Sequence, residues 1–234
     1  MLEIQQLGAC YGDSLILQGV TLRVAAGQGV ALVGRNGAGK TTLLSSIVGG
    51  APKVSGTVRF DGQDITAWPT HRRVRQGLAM VPEDRRIFSH LSVEENLILA
   101  RHCQRSGTPA LTPDAVCALF PLLSDLRSRM GGQLSGGQQQ VLALARGFVA
   151  RPRCMLLDEP TEGVAPLIVE QMALQINAAR QAHQVGMLLA EQNLWFARRC
   201  TSYLYVIETG RIVFEGDWPS FDARPDVAAR HLGV

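Results

Sequence analysis

Lysine is nearly missing from this chain: of 23 basic residues among 234, only Lys40 and Lys53 are lysines, and the rest are arginines. The formal net charge is +3, too mild for the concentrated basic face that grips nucleic acid. No run of about 18 apolar residues occurs, so no helix spans a bilayer. Cysteine is sparse and scattered. The five (Cys10, Cys103, Cys117, Cys154, Cys200) are odd in number, with no close pair, which indicates neither a zinc knuckle nor a disulfide ladder. They read as small core hydrophobes. The start, MLEIQQLGACYGD, alternates like a strand and lacks the basic flank and apolar stretch of an export signal, so a cytoplasmic protein is expected. Neither an internal repeat nor a low-complexity segment is visible.

What is present is a globular composition, 46% hydrophobic over 234 residues, enough for one large α/β domain or a core with a smaller inserted lobe. Segments 2–7 and 20–25 read as strands, and a turn at 26–29 leads into GVALVG, an apolar run that ends on Gly34. KTTLLSSIVGG predicts a helix stopped by its glycine pair, SGTVRFDGQDI a hairpin arm, and GLAMVP another strand. Ser92 can then cap a helix with Glu95 at the box position. Helical patterning continues, with a break at Ser106–Pro109, through PDAVCALFPLLSDLRSRM to about Met130. The stretch 84–133 thus predicts a helical insertion into a core made of 1–83 and 134–234. Beyond it, GGQQQVLALARGFVA predicts a helix and CMLLDEP a buried strand ending in two carboxylates. A helix over 166–183, strand GMLLAEQ, helix LWFARRC, strands YLYVIETG and RIVFEG and a short terminal helix follow. Such alternation predicts a largely parallel sheet flanked by helices, with ligands at the carboxyl ends of its strands.

The chemistry concentrates in three motifs. GRNGAGKT, Gly34 to Thr41, fits G-x-x-x-x-G-K-[ST] between a strand and a helix. Gly34, Gly37 and Gly39 let successive backbone N–H groups turn inward on an anion, and the new helix adds the positive end of its dipole. Arg35, Asn36, Ala38 and Thr42 complete that loop. Lys40 reaches the β and γ phosphates of a nucleotide, and Thr41 offers a hydroxyl to Mg²⁺. In CMLLDEP, Asp158 can hold Mg²⁺ through its water shell and Glu159 can polarise an attacking water, where a neighbouring strand would hold the loop; an isolated Asp-Glu pair also caps helices. The third motif, LSGGQQQ at Leu134 to Gln140, has Gly136 and Gly137 to free backbone amides, Ser135 as a hydroxyl donor and a helix directly behind. It is either an anion-binding helix start or simply a Ser-capped helix. With no lysine and no metal ligand, it cannot complete a site alone.

Phosphate loop, helical insertion, LSGGQ and an Asp-Glu strand, in that order, resemble the ATP-binding cassette (ABC) family across essentially the whole chain. The resemblance implies an α/β fold: a P-loop NTPase core with a largely parallel sheet, a small antiparallel β subdomain and an inserted helical subdomain. It implies ATP and Mg²⁺ as cofactors and ATP hydrolysis as the activity. In that family two cassettes pair head to tail, so each nucleotide lies between the loop of one subunit and the LSGGQ of the other. By position, Tyr11 matches the aromatic that stacks on adenine, and Ser135, Gly136 and Gly137 match the residues that close on the γ-phosphate across the pair. Glu159 matches the catalytic base.

Three positions depart from the family pattern. Glu83, in VPEDRRIF, stands where most cassettes have a Gln that senses Mg²⁺ and the attacking water. Ala165 stands where most have Asp, and Gln192, in LLAEQN, where most have the switch His. Gln192 can donate an amide hydrogen bond to a γ-phosphate oxygen but carries no charge. Glu83 can coordinate Mg²⁺ while adding negative charge beside phosphate. The implied catalytic set is Glu159, Gln192 and Glu83, and the implied metal set Thr41, Asp158 and Glu83.

DEPTEGVAPLIVE, EQN, ETGRIVFEG and the terminal HLGV resemble the second cassette subunit of polar and branched-chain amino acid importers. Cassettes of urea and short-amide importers are closely similar. The resemblance implies transmembrane permease subunits, a sister ATPase subunit or a homodimer, and, indirectly, a periplasmic solute-binding protein. It implies no nucleic acid, and a peripheral place on the cytoplasmic face of the inner membrane. Such cassettes grip their membrane subunits in a groove between core and helical lobe, here Glu83 to Glu95, with Ile87, Phe88 and Leu91 either as apolar anchors or as packing inside the lobe. HRRVR, His71 to Arg75, reads as a solvated helix face rather than a lipid-phosphate patch. A soluble cassette acting in DNA repair or translation, a copy that only regulates its sister, and a small-molecule kinase are the competing readings. The first usually needs two cassettes or long coiled coils, the second has no use for Glu159, and the third leaves LSGGQ unexplained.

Overall fold

The computed structural model describes residues 1–50 and 53–233; Val234, the last residue of HLGV, lies outside them. Leu2–Tyr11 (β1) and Ser14–Val24 (β2) form an antiparallel pair, longer than the two short strands expected. Gly29–Val33 (β3) and Lys40–Val48 (α1) follow. Lys53–Phe60 (β4) turns through Asp61 and Gly62 into Gln63–Asp64 (β5), and both turn residues take positive φ, 50° and 79°, as a two-residue hairpin requires. Thr70–Gln76 (α2) and Leu78–Val81 (β6) lead to the helical segment, where Val93–Ala100 (α3) and Pro113–Leu119 (α4) precede Gly136–Val149 (α5). The rest is Cys154–Asp158 (β7), Pro166–His183 (α6), Gly186–Glu191 (β8), Leu194–Cys200 (α7), Tyr203–Glu208 (β9), Arg211–Asp217 (β10), Trp218–Asp222 (α8) and Pro225–Val227 (α9).

One sheet, in order β2-β1-β4-β5, is antiparallel; the other runs β10-β9-β3-β8-β7-β6, parallel except for edge strand β10. Every residue of β3, β7 and β8 is buried, which is why these strands are continuous apolar runs: a parallel strand is covered on both faces. One face packs on α1 and the antiparallel sheet through Leu43, Leu44, Leu156 and Leu188. The other packs on α5 and α6 through Met155, Leu157, Met187 and Leu189, and the same cluster continues into the helical segment through Val93, Leu97, Phe120 and Leu123. Each fully buried Leu or Val contributes about 1.5–3 kcal/mol.

Helix starts follow local chemistry. Ser92 and Glu95 close the expected capping box, with Glu95 N–H donating to Ser92 Oγ at 3.1 Å and Ser92 N–H to Glu95 Oε2 at 2.7 Å. The helix expected to continue to Met130 instead breaks after Leu119: Phe120, at φ −125° and ψ 72°, precedes Pro121 and leaves the helical region, and Pro121–Leu126 is a tight 3₁₀ stretch. The terminal helix is likewise divided by Pro225 into α8 and α9, with a π turn over Ala228–Leu232.

The HRRVR run is a helix, α2, but not a wholly solvated face. Arg73 is buried and donates to four carbonyl oxygens: Trp68 (2.9 Å), Ser46 (3.0 Å), Ile47 (2.7 Å) and Thr66 (2.8 Å). Two of these belong to the last turn of α1, so Arg73 caps that helix from outside. Burial lowers its pKa, and its His71, Arg72 and Arg75 neighbours remain exposed. A lysine cannot span this fork; Arg73→Lys is expected to cost about 1–3 kcal/mol, read as a lower urea midpoint at unchanged slope.

Cys117, Cys154 and Cys200 are buried, Cys10 is half-buried and Cys103 exposed. Burial pushes the Cys154 and Cys200 thiols up to about 12, so three of the five are the expected core hydrophobes and Cys103 is not. Cys103 lines a cavity of about 850 Å³ between α1, α2 and β6 on one side and Glu83–Arg86 and α5 on the other.

Candidate nucleotide site

The phosphate loop leaves the carboxyl end of β3. A Cβ on Gly34 would stand 2.5 Å from the Ile207 carbonyl oxygen, and Gly39 takes φ 107°, so both positions require glycine. The turn after β9 braces the loop, with Gly210 N–H donating to Ala38 O at 2.9 Å. Gly39 caps α1 without a side-chain hydrogen bond, and no acidic residue occupies the first turn. The helix therefore offers its free N–H groups to an external anion. Arg35, Asn36 and Gly37 are exposed, Thr41 is exposed and Thr42 half-buried.

Lys40 is buried. Its Nζ donates to Gly34 O (2.7 Å) and Arg35 O (3.0 Å) and pairs with Glu159 Oε1 at 3.0 Å. Thr41 Oγ1 donates to Asp158 Oδ1 at 3.2 Å, while Asp158 Oδ2 is buried with no hydrogen-bond partner. An orphaned carboxylate oxygen beside a hydroxyl is hard-oxygen chemistry that fits a small divalent cation. Burial pushes Asp158 up to about 6; Thr41 and Lys40 pull it down, Glu159 and Glu83 push it up. A raised carboxyl pKa favours the fold below the ordinary value of 3.8, and that contribution is lost as pH rises through about 6. Asp158→Asn is therefore expected to stabilise the nucleotide-free protein above about 6 and to lose that advantage on acidification, as pH-dependent urea melts of both proteins will show.

Glu159 takes φ 41° at the tip of β7, held by its N–H on Ala190 O at 2.9 Å. Gln192 Nε2 donates both to Glu159 Oε2 (2.6 Å) and to Asn36 Oδ1 (2.6 Å). The structure thus brings Asn36, Lys40, Thr41, Asp158, Glu159 and Gln192 into one cluster. It does so differently from the sequence expectation: β7 is not the neighbour of β3, because β8 lies between them. The carboxyl ends of β3, β8 and β7 stand in a row, and Glu191 and Gln192 occupy the middle of it.

Glu83, exposed just past β6, lines the same cavity as Thr41 and Asp158. Burial first, then the Glu162 and Glu159 carboxylates, raise its pKa. Neither Glu162 nor Glu191 is singled out by motif spacing, although a charge closing the apolar strand GMLLAE is a visible signal for Glu191. Tyr11 ends β1 and is 45% exposed. Ser135 caps α5, with its N–H on Gln138 Oε1 at 2.9 Å and its Oγ taking Gln138 N–H at 3.3 Å. Gly136 faces the Arg85 guanidinium, and Gly137 faces Ile168 and Val164, rather than the chain's own phosphate loop. Ala165 caps α6 with no side-chain hydrogen bond. Of the apolar residues near the groove, Ile87 packs on the core cluster, Leu91 is half-buried, and Phe88 is exposed beneath the Arg146 guanidinium at 4.7 Å.

The ABC transporter family model matches residues 17–162. The chain belongs to the ABC transporter family. It is similar to the high-affinity branched-chain amino acid transport ATP-binding protein BraG of Pseudomonas aeruginosa, 36% identical over 233 residues and all of both chains. It is also similar to the lipopolysaccharide export system ATP-binding protein LptB of Haemophilus influenzae, 31% identical over 92% of this chain and 90% of that one. Among solved structures, an ATP-binding subunit of an ABC transporter superposes with a TM-score of 0.80 at 28% identity, over 100% of this chain and 96% of that one. This cassette is accordingly an ATP-binding subunit of an ABC transporter and an ATPase with the P-loop NTPase α/β fold. Among the described residues no helix is long and apolar enough to cross a membrane.

Proposed function

We propose that this cassette energises an importer of branched-chain amino acids, working as one ABC ATPase domain in which 84–133 forms the helical part. The observation that carries the ATPase half of this reading is the cluster around Glu159, whose carboxylate meets Lys40 on one oxygen and Gln192 on the other. Tyr11 stacks on the adenine and Gly34–Thr42 cradle the phosphates. Thr41 and Asp158, with Glu83, hold Mg²⁺, which offsets phosphate charge when bound. Incoming phosphate draws Lys40 away from Glu159, and the freed carboxylate takes the proton of the attacking water. Gln192 donates its amide to a γ-phosphate oxygen.

Because Gly136 and Gly137 face Arg85 and the Val164–Ile168 surface, Ser135–Gly137 serve the nucleotide of a second copy or sister cassette. Lys40→Ala and Ser135→Arg subunits, inactive separately, should regain hydrolysis when mixed, since a mixed pair retains an intact loop facing an intact Ser135. A mixture that stays inactive sinks the shared-site reading. The 850 Å³ cavity, lined in part by the Arg146 that covers exposed Phe88, receives a short helix of a transmembrane subunit and holds the cassette on the cytoplasmic face of the membrane, with a solute-binding protein acting beyond it.

The solute assignment rests on likeness to BraG. Cells carrying Glu159→Gln should lose uptake of labelled leucine, isoleucine and valine. Preserved uptake with failed lipopolysaccharide export favours the LptB-like reading, and failed urea uptake the short-amide one.

A further inference from the structure

We infer that Glu191 is a positioning residue for hydrolysis, a buried carboxylate that fastens the loop after Glu159 to the segment carrying Gln192. The inference rests on the catalytic reading above and deepens it. Glu191 closes β8 and is 2% exposed. Its Oε1 accepts the Thr161 N–H (3.1 Å) and the Thr161 hydroxyl (2.7 Å), and its Oε2 accepts the N–H groups of Gln192 (2.9 Å) and Asn193 (3.0 Å). Burial raises its pKa although all four bonds pull the other way. Such a group is costly to bury, and here each oxygen serves a different segment.

The consequence is geometric. Thr161 follows Glu159 by two residues, and Gln192 is bonded to Glu159 and Asn36 through one amide nitrogen, at 2.6 Å each. With its N–H held by Glu191, Gln192 keeps the backbone position from which that nitrogen reaches Glu159 and Asn36. With Thr161 pinned by the same carboxylate, the tip of β7 keeps its distance from Gln192. Glu191 touches neither Glu159 nor the phosphate loop among its hydrogen bonds, so its action passes through those two segments. A glutamine is the most informative replacement: whichever way its amide turns, one NH₂ meets either the Thr161 donors or the Gln192 and Asn193 N–H groups.

Steady-state hydrolysis by the full chain tests this. Glu191→Gln is expected to lower kcat by about 10- to 100-fold, the scale of an ångström-sized misplacement, with the ATP KM within about twofold. Combined with Gln192→Ala it should be no slower than Gln192→Ala alone, because both changes remove the same placement. An unchanged kcat, or losses that multiply, overturns the inference. Should Glu191→Gln fail to fold, Thr161→Val is expected to slow turnover severalfold and Thr161→Ser to restore it; equal rates for the two overturn the inference as well. Failure of the underlying site reading looks different: Glu159→Gln and Gln192→Ala would then themselves hydrolyse at the wild-type rate.

Discussion

Glu159→Gln should cut ATP turnover by about 10²–10⁴-fold, the loss of a general base, while nucleotide binding is kept or tightened. The glutamine is isosteric, so the positive-φ turn at 159 and the bond of its N–H to Ala190 O survive. What disappears is the proton acceptor and the countercharge to Lys40. The amide has one acceptor oxygen for two donors, Lys40 on one side and Gln192 on the other, so Lys40 is released to the phosphates. Phosphate release measured beside isothermal titration with ATP separates the two effects. A wild-type protein no faster than Glu159→Gln would mean that this copy binds ATP and regulates a sister cassette instead.

Lys40→Met should weaken ATP binding by about 2–5 kcal/mol, the cost of truncating one member of a buried charge pair. Two opposing contributions decide the magnitude. Removing the ammonium strips the phosphates of their cation, but it also leaves Glu159, itself only 10% exposed, without a countercharge in the nucleotide-free protein. The second contribution raises the energy of the nucleotide-free protein and disfavours it, but the Gln192 amide still serves one carboxylate oxygen and limits it. The first therefore dominates, and calorimetric affinity at matched pH for both proteins measures it. Binding unchanged within a factor of about three, below 1 kcal/mol, would remove Lys40 from the phosphate site.

How much of this was legible beforehand depends on the range over which each residue acts. The phosphate loop, the Ser92 and Ser135 caps and the apolar strands are set by neighbours a few positions away, and they stand where their sequence patterns put them. Arg73 was not legible: nothing within HRRVR marks which arginine turns inward, because the carbonyls it binds, at Ser46 and Ile47, lie 26 or 27 residues earlier. Glu191 was half legible, as a charge ending a buried strand, but its partner Thr161 lies 30 residues away. The intervening position of β8 between β3 and β7 is a matter of strand order, which short-range pattern does not encode. The break ahead of Pro121 is written in the Phe120-Pro121 pair, but the apolar period on either side masks it.

The uneven burial of the thiols has a practical outcome. Cys103 is exposed on the wall of the large cavity, whereas Cys117, Cys154 and Cys200 are enclosed. A maleimide dye will therefore mark that wall well before the enclosed sulfurs. Half-buried Cys10, near the end of β1, is removable as Cys10→Ser. Labelling rate then becomes a direct gauge of whether anything is lodged in the groove, without adding a single reporter residue.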